Sequence, residues 1–289
     1  MIEIRQLRKG DIGQAAEFIA RLNRRPEDHI VYLGTEPDEI QDSLLNDLTD
    51  LPAEEAVAVA VEGDRIVGLW GVEMDNSRGR AYMWGPFVEH EPWQETAAKL
   101  YDAIEALVPD GTTWFQIAIG SKNVRVHDLA ERMGYPKRET NHFNMALSRA
   151  DYRPANDSMV IELPESARDA FAALHDRHFP NTYYDGAELL GRLSETRRGW
   201  ITEDNLGYVY VECKPEHGWA SLEFVGVDER ARGRGYGRAL LSKACGWLLG
   251  HEKIDTVELS VAGDNRAMSL YKKTGFRIAK EIVVFQKEL

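Results

Sequence analysis

The sequence predicts an α/β protein made of two similar halves, and three observations support this prediction. The chain has 289 residues, about twice the roughly 150 residues of one average domain. Predicted strands and helices follow the same order in residues 1–150 and 151–289, which we take as the two domains. Similar sequences also occur near the end of each half, DLAERMGY at residues 128–135 and SLYKKTGF at residues 269–276. A duplicated α/β domain accounts for all three observations.

The elements of the first half follow from periodicity and turn signals. Apolar and polar residues alternate over residues 2–7, which predicts a strand, and Asp11 is a suitable cap for a helix ending near residue 22. The turn signal at residues 62–64 joins two strands in a predicted hairpin. The other predicted elements are strands at 56–61, 65–74, 80–88, 114–119 and 142–147, and helices at 37–51, 96–107 and 124–133.

The second half begins after residues 149–156, where Pro154 and polar residues interrupt the pattern. Apolar residues on one face predict a helix over residues 237–249, and Gly275 is a typical C-cap for the last helix. The other predicted elements are strands at 159–163, 207–212, 221–227, 256–261 and 282–287, and helices at 166–178, 187–193 and 266–273.

The composition excludes several classes of protein. Lys and Arg number 35 against 48 Asp and Glu, a net charge of −13, so we expect no nucleic-acid partner. The chain has no run of about 18 apolar residues and no apparent secretory leader, so we expect no membrane partner and a cytoplasmic location. Only two cysteines occur, which argues against a disulfide scaffold or a cysteine-rich zinc site. The sequence does not decide between a monomer and a homodimer.

The most informative stretch is ERARGRGYGR at residues 229–238, between a predicted strand and an amphipathic helix. Its alternating glycines permit a tight turn with exposed N–H groups, and the following helix adds the positive end of its dipole. Arg232, Arg234 and Arg238 add positive charge, so the stretch has the chemistry of a diphosphate cradle. The alternative is an ordinary glycine-rich turn with arginines that serve solubility.

The spacing of the glycines narrows the choice of phosphate ligand. No Gly-Lys-Ser/Thr occurs in the chain, which excludes the nucleoside-triphosphate loop. The dinucleotide pattern G-x-G-x-x-G also fails, because Arg238 stands where the third glycine belongs. The pattern that fits is Arg/Gln-x-x-Gly-x-Gly/Ala, met by Arg232, Gly235 and Gly237.

This loop is followed about 30 residues later by NRAMSLYKKTGF at residues 265–276, and the pair resembles the GNAT superfamily of acetyl-CoA-dependent N-acetyltransferases. The resemblance covers residues 158–289, whereas the first half matches by element order and its last helix. The whole chain thus resembles tandem GNAT proteins. This resemblance implies two GNAT-like domains, each a mixed, mostly antiparallel, twisted sheet flanked by helices.

The resemblance also implies roles for individual residues. Val225, Gly226 and Val227 correspond to the strand that pairs with the pantetheine arm of acetyl-CoA. The residues that correspond to the diphosphate-binding turn are Arg232, Gly233, Arg234, Gly235, Tyr236, Gly237 and Arg238. Asn265 matches an asparagine that contacts the cofactor arm. Tyr271 matches a tyrosine near the thioester sulfur, where it would act as general acid; its alternative role is that of a packed aromatic residue.

The general base is less well defined by the sequence. Some relatives carry a glutamate where Ser260 stands, so Glu223 and Glu258 are the alternatives nearby. We take Glu223 as the candidate base, and a solvated strand carboxylate is its alternative role. Residues 179–185 lie between two helices, where GNAT proteins build the acceptor wall.

The first half lacks the corresponding features. Its turn, EHEPWQE at residues 89–95, contains no glycine, Lys or Arg and carries three carboxylates, which would repel a diphosphate. Ala130 stands in the place of Tyr271. We therefore expect a degenerate GNAT-like domain in residues 1–150 and an acetyl-CoA-binding domain in residues 151–289.

The predicted activity is acetyl transfer from acetyl-CoA to a primary amine of a small-molecule or peptide acceptor. A CoA-binding or acyl-CoA-binding sensor with little turnover is the alternative, and a longer acyl-CoA donor is a further variant. We expect no metal, because His175 and His178, three residues apart on a helix, have no clear third ligand.

Overall fold

The computed structural model describes residues 2–48 and 50–288. The chain divides into two compact units, one of Met1–His142 with Lys280–Leu289 and the other of Phe143–Ala279. Unit 1 and unit 2 denote these two parts below. The division therefore falls before residue 150, and the end of the chain belongs to unit 1.

The strands and helices take the order in which the sequence predicts them, with one strand and one short helix added. The strands are β1 (Glu3–Gln6), β2 (Val57–Glu62), β3 (Arg65–Asp75), β4 (Arg80–Val88), β5 (Trp114–Gly120), β6 (His142–Ser148), β7 (Val160–Glu162), β8 (Arg197–Thr202), β9 (Gly207–Lys214), β10 (Trp219–Val227), β11 (Thr256–Ala262) and β12 (Arg277–Glu288). The helices are α1 (Ile12–Asn23), α2 (Pro37–Asn46), α3 (Ala53–Ala56), α4 (Trp93–Glu105), α5 (Val124–Arg132), α6 (Arg168–His178), α7 (Gly186–Arg192), α8 (Tyr236–Leu248) and α9 (Met268–Thr274).

Unit 1 contains a mixed, mostly antiparallel sheet in the order β1-β2-β3-β4-β5-β12. All of its registered pairs are antiparallel except β4 with β5, which run parallel over three residue pairs from Arg80 to Tyr82. Strand β2 reads VAVAVE and is buried over its first five residues, because helices cover the sheet. Helices α1 and α4 contribute Phe18, Ile19, Ala97 and Leu100 to the same core.

Unit 2 contains a sheet in the order β7-β8-β9-β10-β11-β6. This sheet has a hydrophobic core on each face, and strand β9 contributes to both because successive side chains point to opposite faces. Val209 and Val211 pack with Leu240 and Leu241 of α8. Tyr208 and Tyr210 pack on the other face with Phe171 of α6. The sheet is therefore covered by α8 on one face and by α6 on the other.

The last strand of each predicted half belongs to the other unit. Strand β12 pairs with β5 from Ile282 opposite Gly120 to Glu288 opposite Trp114, and its Val283 and Phe285 join the core of unit 1. Met145 and Leu147 of β6 lie in the core of unit 2. The predicted halves differ from the two compact units at these strands. The alternating pattern of each strand fits either sheet, so the sequence does not decide which sheet it joins.

Besides the short helix α3, whose last residue Ala56 was expected in a strand, the sequence analysis missed strand β8. Its sequence, RRGWIT, begins with two arginines and a glycine, which is not a typical strand pattern. The arginines are accommodated by ion pairs, Arg197 with Glu212 at 3.1 Å and Arg198 with Glu162 at 2.7 Å. In residues 2–48 and 50–288, no helix combines the length and apolar character needed to cross a membrane.

Candidate active site in the C-terminal unit

Strand β10 separates from its parallel neighbour β11 within unit 2. Among the described residues, pairing between the two strands is confined to Ser221 opposite Glu258. Two residues later, the register of β10 against β9 shifts between Leu222 and Phe224, so Glu223 sits in a β-bulge. A bulge bends its strand and redirects side chains. Beyond it, the edge of β10 that faces β11 has no strand partner in the described part of the chain, and this edge includes the predicted residues 225–227.

The turn after β10 is held by Asp228. Its carboxylate accepts hydrogen bonds from Arg230 at 2.9 and 3.0 Å and from Arg177 at 3.0 Å. These hydrogen bonds with Arg230, its backbone N–H included, hold the pKa of Asp228 far below its usual range. Gly233 and Gly235 then adopt φ values of +74° and +87°, the left-handed region that favours glycine. A Cβ at either glycine would meet nothing within 4 Å, so open space lies in front of the turn.

Helix α8 starts from this turn without a side-chain cap. Its N-cap residue, Gly235, has no side chain to accept hydrogen bonds from the first amides of the helix, which therefore face the open space. Arg232, Arg234 and Arg238 are exposed around it. Arg232 pairs with Glu229 at 3.0 Å, and the Arg234 guanidinium lies 5.6 Å from the centre of the Tyr236 ring. Free amides and positive side chains together make an anion-binding arrangement.

Gly237 has a packing reason to be glycine. A Cβ there would lie 2.7 Å from Cδ2 of Leu270 in α9. The close approach brings α9, and with it Tyr271, against the first turn of α8. The tight contact explains one glycine of the sequence motif without reference to a ligand.

Tyr271 is almost fully buried, with 7% of its surface exposed, and its ring contacts Phe276. Burial raises the pKa of Tyr271 to about 12, so its hydroxyl keeps the proton at neutral pH. Within the described part of the chain, this hydroxyl makes no hydrogen bond. Tyr271 also lies close enough to Tyr208 to contribute, after burial and Asp176, to the raised pKa of that residue.

Glu223 is half-buried at the bulge and accepts a hydrogen bond from the hydroxyl of Tyr183. Burial and the nearby charge of Glu212 raise the pKa of Glu223, while hydrogen bonds from Ser221 and Tyr183 oppose the shift. A carboxylate with a raised pKa is better suited to accept a proton than an ordinary surface glutamate. The sequence pattern singled out the 179–185 loop but not the contact between Tyr183 and Glu223.

His175 fixes the loop that carries Tyr183. Its Nε2 lies 2.8 Å from the carbonyl oxygen of Tyr184, which only accepts, so Nε2 carries the proton. Its Nδ1 therefore accepts from the hydroxyl of Tyr208 at 2.8 Å. Phe179 stacks on the imidazole, with 5.6 Å between ring centres. Both ring nitrogens are thus occupied by protein groups and neither is available to a metal.

Three other residues named in the sequence analysis lie on the exposed side of β11 or just after it. Glu258 and Ser260 are exposed on β11. Asn265 is exposed and its Oδ1 accepts from the backbone N–H of Ala267 at 2.8 Å, which caps the turn into α9. The described residues contain no group of three or more His, Cys, Asp or Glu side chains arranged to hold a metal.

The corresponding gap in unit 1 has a different content. Among residues 2–48 and 50–288, pairing between β4 and β5 is confined to Arg80–Tyr82, after which the strands separate. The segment after α1 lies in this gap and pairs with β5. The N–H of Val31 donates to the carbonyl oxygen of Ala118 at 3.0 Å, and the N–H of Gly120 donates to the carbonyl oxygen of His29 at 3.0 Å. At the start of α4, the N–H of Trp93 donates to the carboxylate of Glu91 at 2.9 Å.

Parts of the chain are similar in sequence to known acetyltransferases. Residues 149–276 match the model of the acetyltransferase (GNAT) family, so this part of the chain is a GNAT domain. The chain is also similar to mycothiol acetyltransferase from Beutenbergia cavernae, with 33% identity over 127 residues. That alignment covers 39% of this chain and 42% of the relative, so the chain matches less than half of that protein's length.

Solved structures extend the likeness in fold to both units. A GCN5-related N-acetyltransferase from Sphaerobacter thermophilus superposes with a TM-score of 0.78 at 20% identity, covering 99% of this chain and 95% of its own. A tandem GNAT protein from the clavulanic acid biosynthesis pathway gives a TM-score of 0.71 at 16% identity, covering 100% and 98%. The chain therefore has the fold of two tandem GNAT-like domains.

Proposed function

We propose that unit 2 binds acetyl-CoA and transfers the acetyl group directly to a primary amine. The observation that carries this proposal is the separation of β10 from β11 after Ser221, which ends at the uncapped start of α8. An extended arm with amide groups fits the free edge of a strand, because it can form the hydrogen bonds that the missing strand would have made.

The diphosphate of CoA is assigned to the turn at residues 232–238. The open space before Gly233 and Gly235, the free amides of α8 and the three exposed arginines support this assignment. Hydrogen bonds to a charged group contribute about 1.5–3 kcal/mol each, so a few of them account for firm binding. Asn265 is assigned to the cofactor arm with weaker support, since its Oδ1 already caps the turn before α9.

Glu223 is the proposed general base. An amine attacks a thioester only in its neutral form, so a group near the acceptor must take its proton. The aromatic residues of the 179–185 loop pack beside Glu223, with the Tyr183 ring 5.1 Å from that of Phe224. We assign the acceptor, a small molecule or peptide with a primary amine, to this side of the sheet.

Tyr271 is the proposed partner of the departing sulfur. A free thiol has a pKa of about 8.5, well below the value of about 12 for Tyr271. The hydroxyl therefore acts first as a hydrogen-bond donor to the developing thiolate. Complete proton transfer, as expected of a general acid, requires the pKa of Tyr271 to fall in the complex.

Unit 1 is proposed to bind no cofactor, so each chain holds one molecule of acetyl-CoA. Its own residues occupy the gap between strands and the start of α4. Because an anion would have to displace the carboxylate of Glu91, binding there is opposed by charge as well as by space.

The decisive experiment is calorimetric titration of CoA and acetyl-CoA into the full chain, followed by acetylation of a panel of primary amines. We expect one site per chain, and we expect Tyr271→Phe to lower kcat about a hundredfold while CoA affinity stays the same. Absence of binding in the wild type would refute the proposal.

The same experiment separates the enzyme from a sensor. Tight binding of acetyl-CoA without acetylation of any amine in the panel would favour an acyl-CoA-binding module. Turnover with a longer acyl-CoA but none with acetyl-CoA would change the donor and leave the site assignments intact.

A further inference from the structure

The imidazole of His178 lies against the strand assigned to the cofactor arm. His178 is the last residue of α6, and a Cβ placed on Gly226 would lie 2.8 Å from its Cδ2. The same Cβ would lie 2.5 Å from Cε1 of Tyr208. Gly226 therefore has no room for a side chain, and the two rings lie directly on the backbone of β10.

The Nε2 atom of His178 is buried and has no hydrogen-bond partner in the described residues. Buried polar atoms of this kind are rare, because an unpaired one costs about 1–3 kcal/mol. His175, one turn earlier on the same helix, has both ring nitrogens paired. The unpaired atom therefore distinguishes His178 from its neighbour and points to a group that arrives with a ligand.

The charges around His178 favour its neutral form. Burial, together with the positive charges of Arg232 and Arg177, lowers the pKa of His178, and the opposing charges of Asp228 and Glu229 are weaker influences. A neutral imidazole has one N–H donor and one nitrogen acceptor. An amide group carries both a carbonyl and an N–H, so it can pair with Nε2 in either tautomer.

The same position in unit 1 shows what such a group does when it is paired. Asn23 is the last residue of α1, the counterpart of α6. Its side chain accepts from the N–H of Ile30 at 2.7 Å and donates to Leu33 at 2.7 Å and to Gly34 at 2.9 Å. In that unit the polar group at the helix end holds the chain segment that fills the gap between strands.

We propose that Nε2 of His178 hydrogen-bonds an amide of the pantetheine arm where the arm passes Val225–Val227. This inference rests on the proposed function. It makes His178 a cofactor-binding residue, one that the motif of the glycine-rich turn does not contain. In unit 2 the ligand takes the position that residues 29–31 take in unit 1.

The test is calorimetry on the full chain with two ligands, CoA and 3′-phosphoadenosine 5′-diphosphate, which has the diphosphate but no arm. We expect His178→Ala to weaken CoA binding about three- to tenfold and to leave the armless nucleotide unchanged. His178→Gln, whose amide can pair with the arm, is expected to recover most of the loss. His217→Ala, in the turn that precedes β10, is the histidine control.

Equal weakening of both ligands would place His178 at the diphosphate and overturn the proposal, as would unchanged binding of CoA. Melting temperatures of all variants show whether His178→Ala is folded. If it is not, His178→Phe, which keeps a ring but has no polar atom, replaces it. Failure of the wild type to bind CoA refutes the proposed function instead, so the two failures are distinct.

Discussion

The two units treat the same gap between parallel strands in opposite ways. In unit 1, residues 29–31 form backbone hydrogen bonds with β5 inside the gap, so the chain itself pairs the backbone groups of β5 there. In unit 2 the corresponding loop stays on one side, where Tyr183 bonds to Glu223, and the edge of β10 remains open. A closed gap adds hydrogen bonds to the fold, whereas an open one leaves backbone groups for a ligand.

The helix that follows the gap differs in the same sense. The first amide of α4 is satisfied by the carboxylate of Glu91, a negative charge supplied by the chain. The first turn of α8 has no such group and is surrounded by arginines. The comparison teaches that one fold becomes a scaffold or a binding site according to whether its own side chains supply what a ligand would.

The largest expected effect comes from reversing charge at the start of α8. The double variant Arg234→Glu/Arg238→Glu should weaken CoA at least about a hundredfold, because two favourable charges become repulsive beside the diphosphate. Both residues are exposed, so the fold should persist. The matched variant Arg21→Glu/Arg25→Glu alters the two arginines that pair with Glu89 in unit 1. It should leave CoA affinity unchanged, and equal losses in both double variants would break the comparison.

The next largest effect is expected on the rate. Glu223→Gln removes the proposed base and should lower kcat about a hundredfold with little change in CoA affinity. Because the pKa of Glu223 is raised, wild-type activity should fall on the acid side at a pH above the ordinary range of glutamate. A pH profile of kcat for both proteins checks this. Glu258→Gln, on the exposed side of β11, is the control, and a loss confined to that variant would move the base to Glu258.

Asn23→Ala should affect stability and leave CoA binding unchanged. Its side chain makes one hydrogen bond to Ile30, in the segment that fills the gap in unit 1, and two to Leu33 and Gly34 just after that segment. Truncation therefore leaves backbone groups unpaired. We expect a loss of about 2 kcal/mol in the free energy of unfolding, measured with urea. Asn46→Ala removes an exposed contact with Asp42 and should cost less than about 0.5 kcal/mol. A fall in CoA affinity with Asn23→Ala would show that unit 1 takes part in binding.

The sequence predicted most elements of the fold because their periods and turn signals are local. It missed β8, whose arginines are placed by ion pairs with residues far along the chain, Glu162 and Glu212. It also kept β6 and β12 in their own halves, since an alternating strand fits either sheet equally well.

The candidate site divides in the same way. The turn at residues 232–238 was visible because glycine spacing and charge are local properties. The contact of Tyr183 with Glu223 and that of His178 with Gly226 were not, because each joins residues about 40 or more positions apart. The sequence did not show that residues 29–31 fill the gap in unit 1. It did show that a negative charge, that of Glu91, lies at the start of α4.

The smallest expected effect concerns the cost of keeping Glu223 in place. A carboxyl group whose pKa is higher in the folded than in the unfolded chain makes the fold less stable as pH rises through that pKa. Glu223→Gln, which does not titrate, should therefore melt at a slightly higher temperature than the wild type at pH 7. The difference should shrink towards pH 4, where both chains carry a neutral side chain. Melting curves at the two pH values test this, with Glu258→Gln as the exposed control. If Glu223→Gln is instead less stable at pH 7, the hydrogen bond from Tyr183 outweighs burial, and Glu223 is a structural carboxylate of the loop rather than a base held ready for an acceptor.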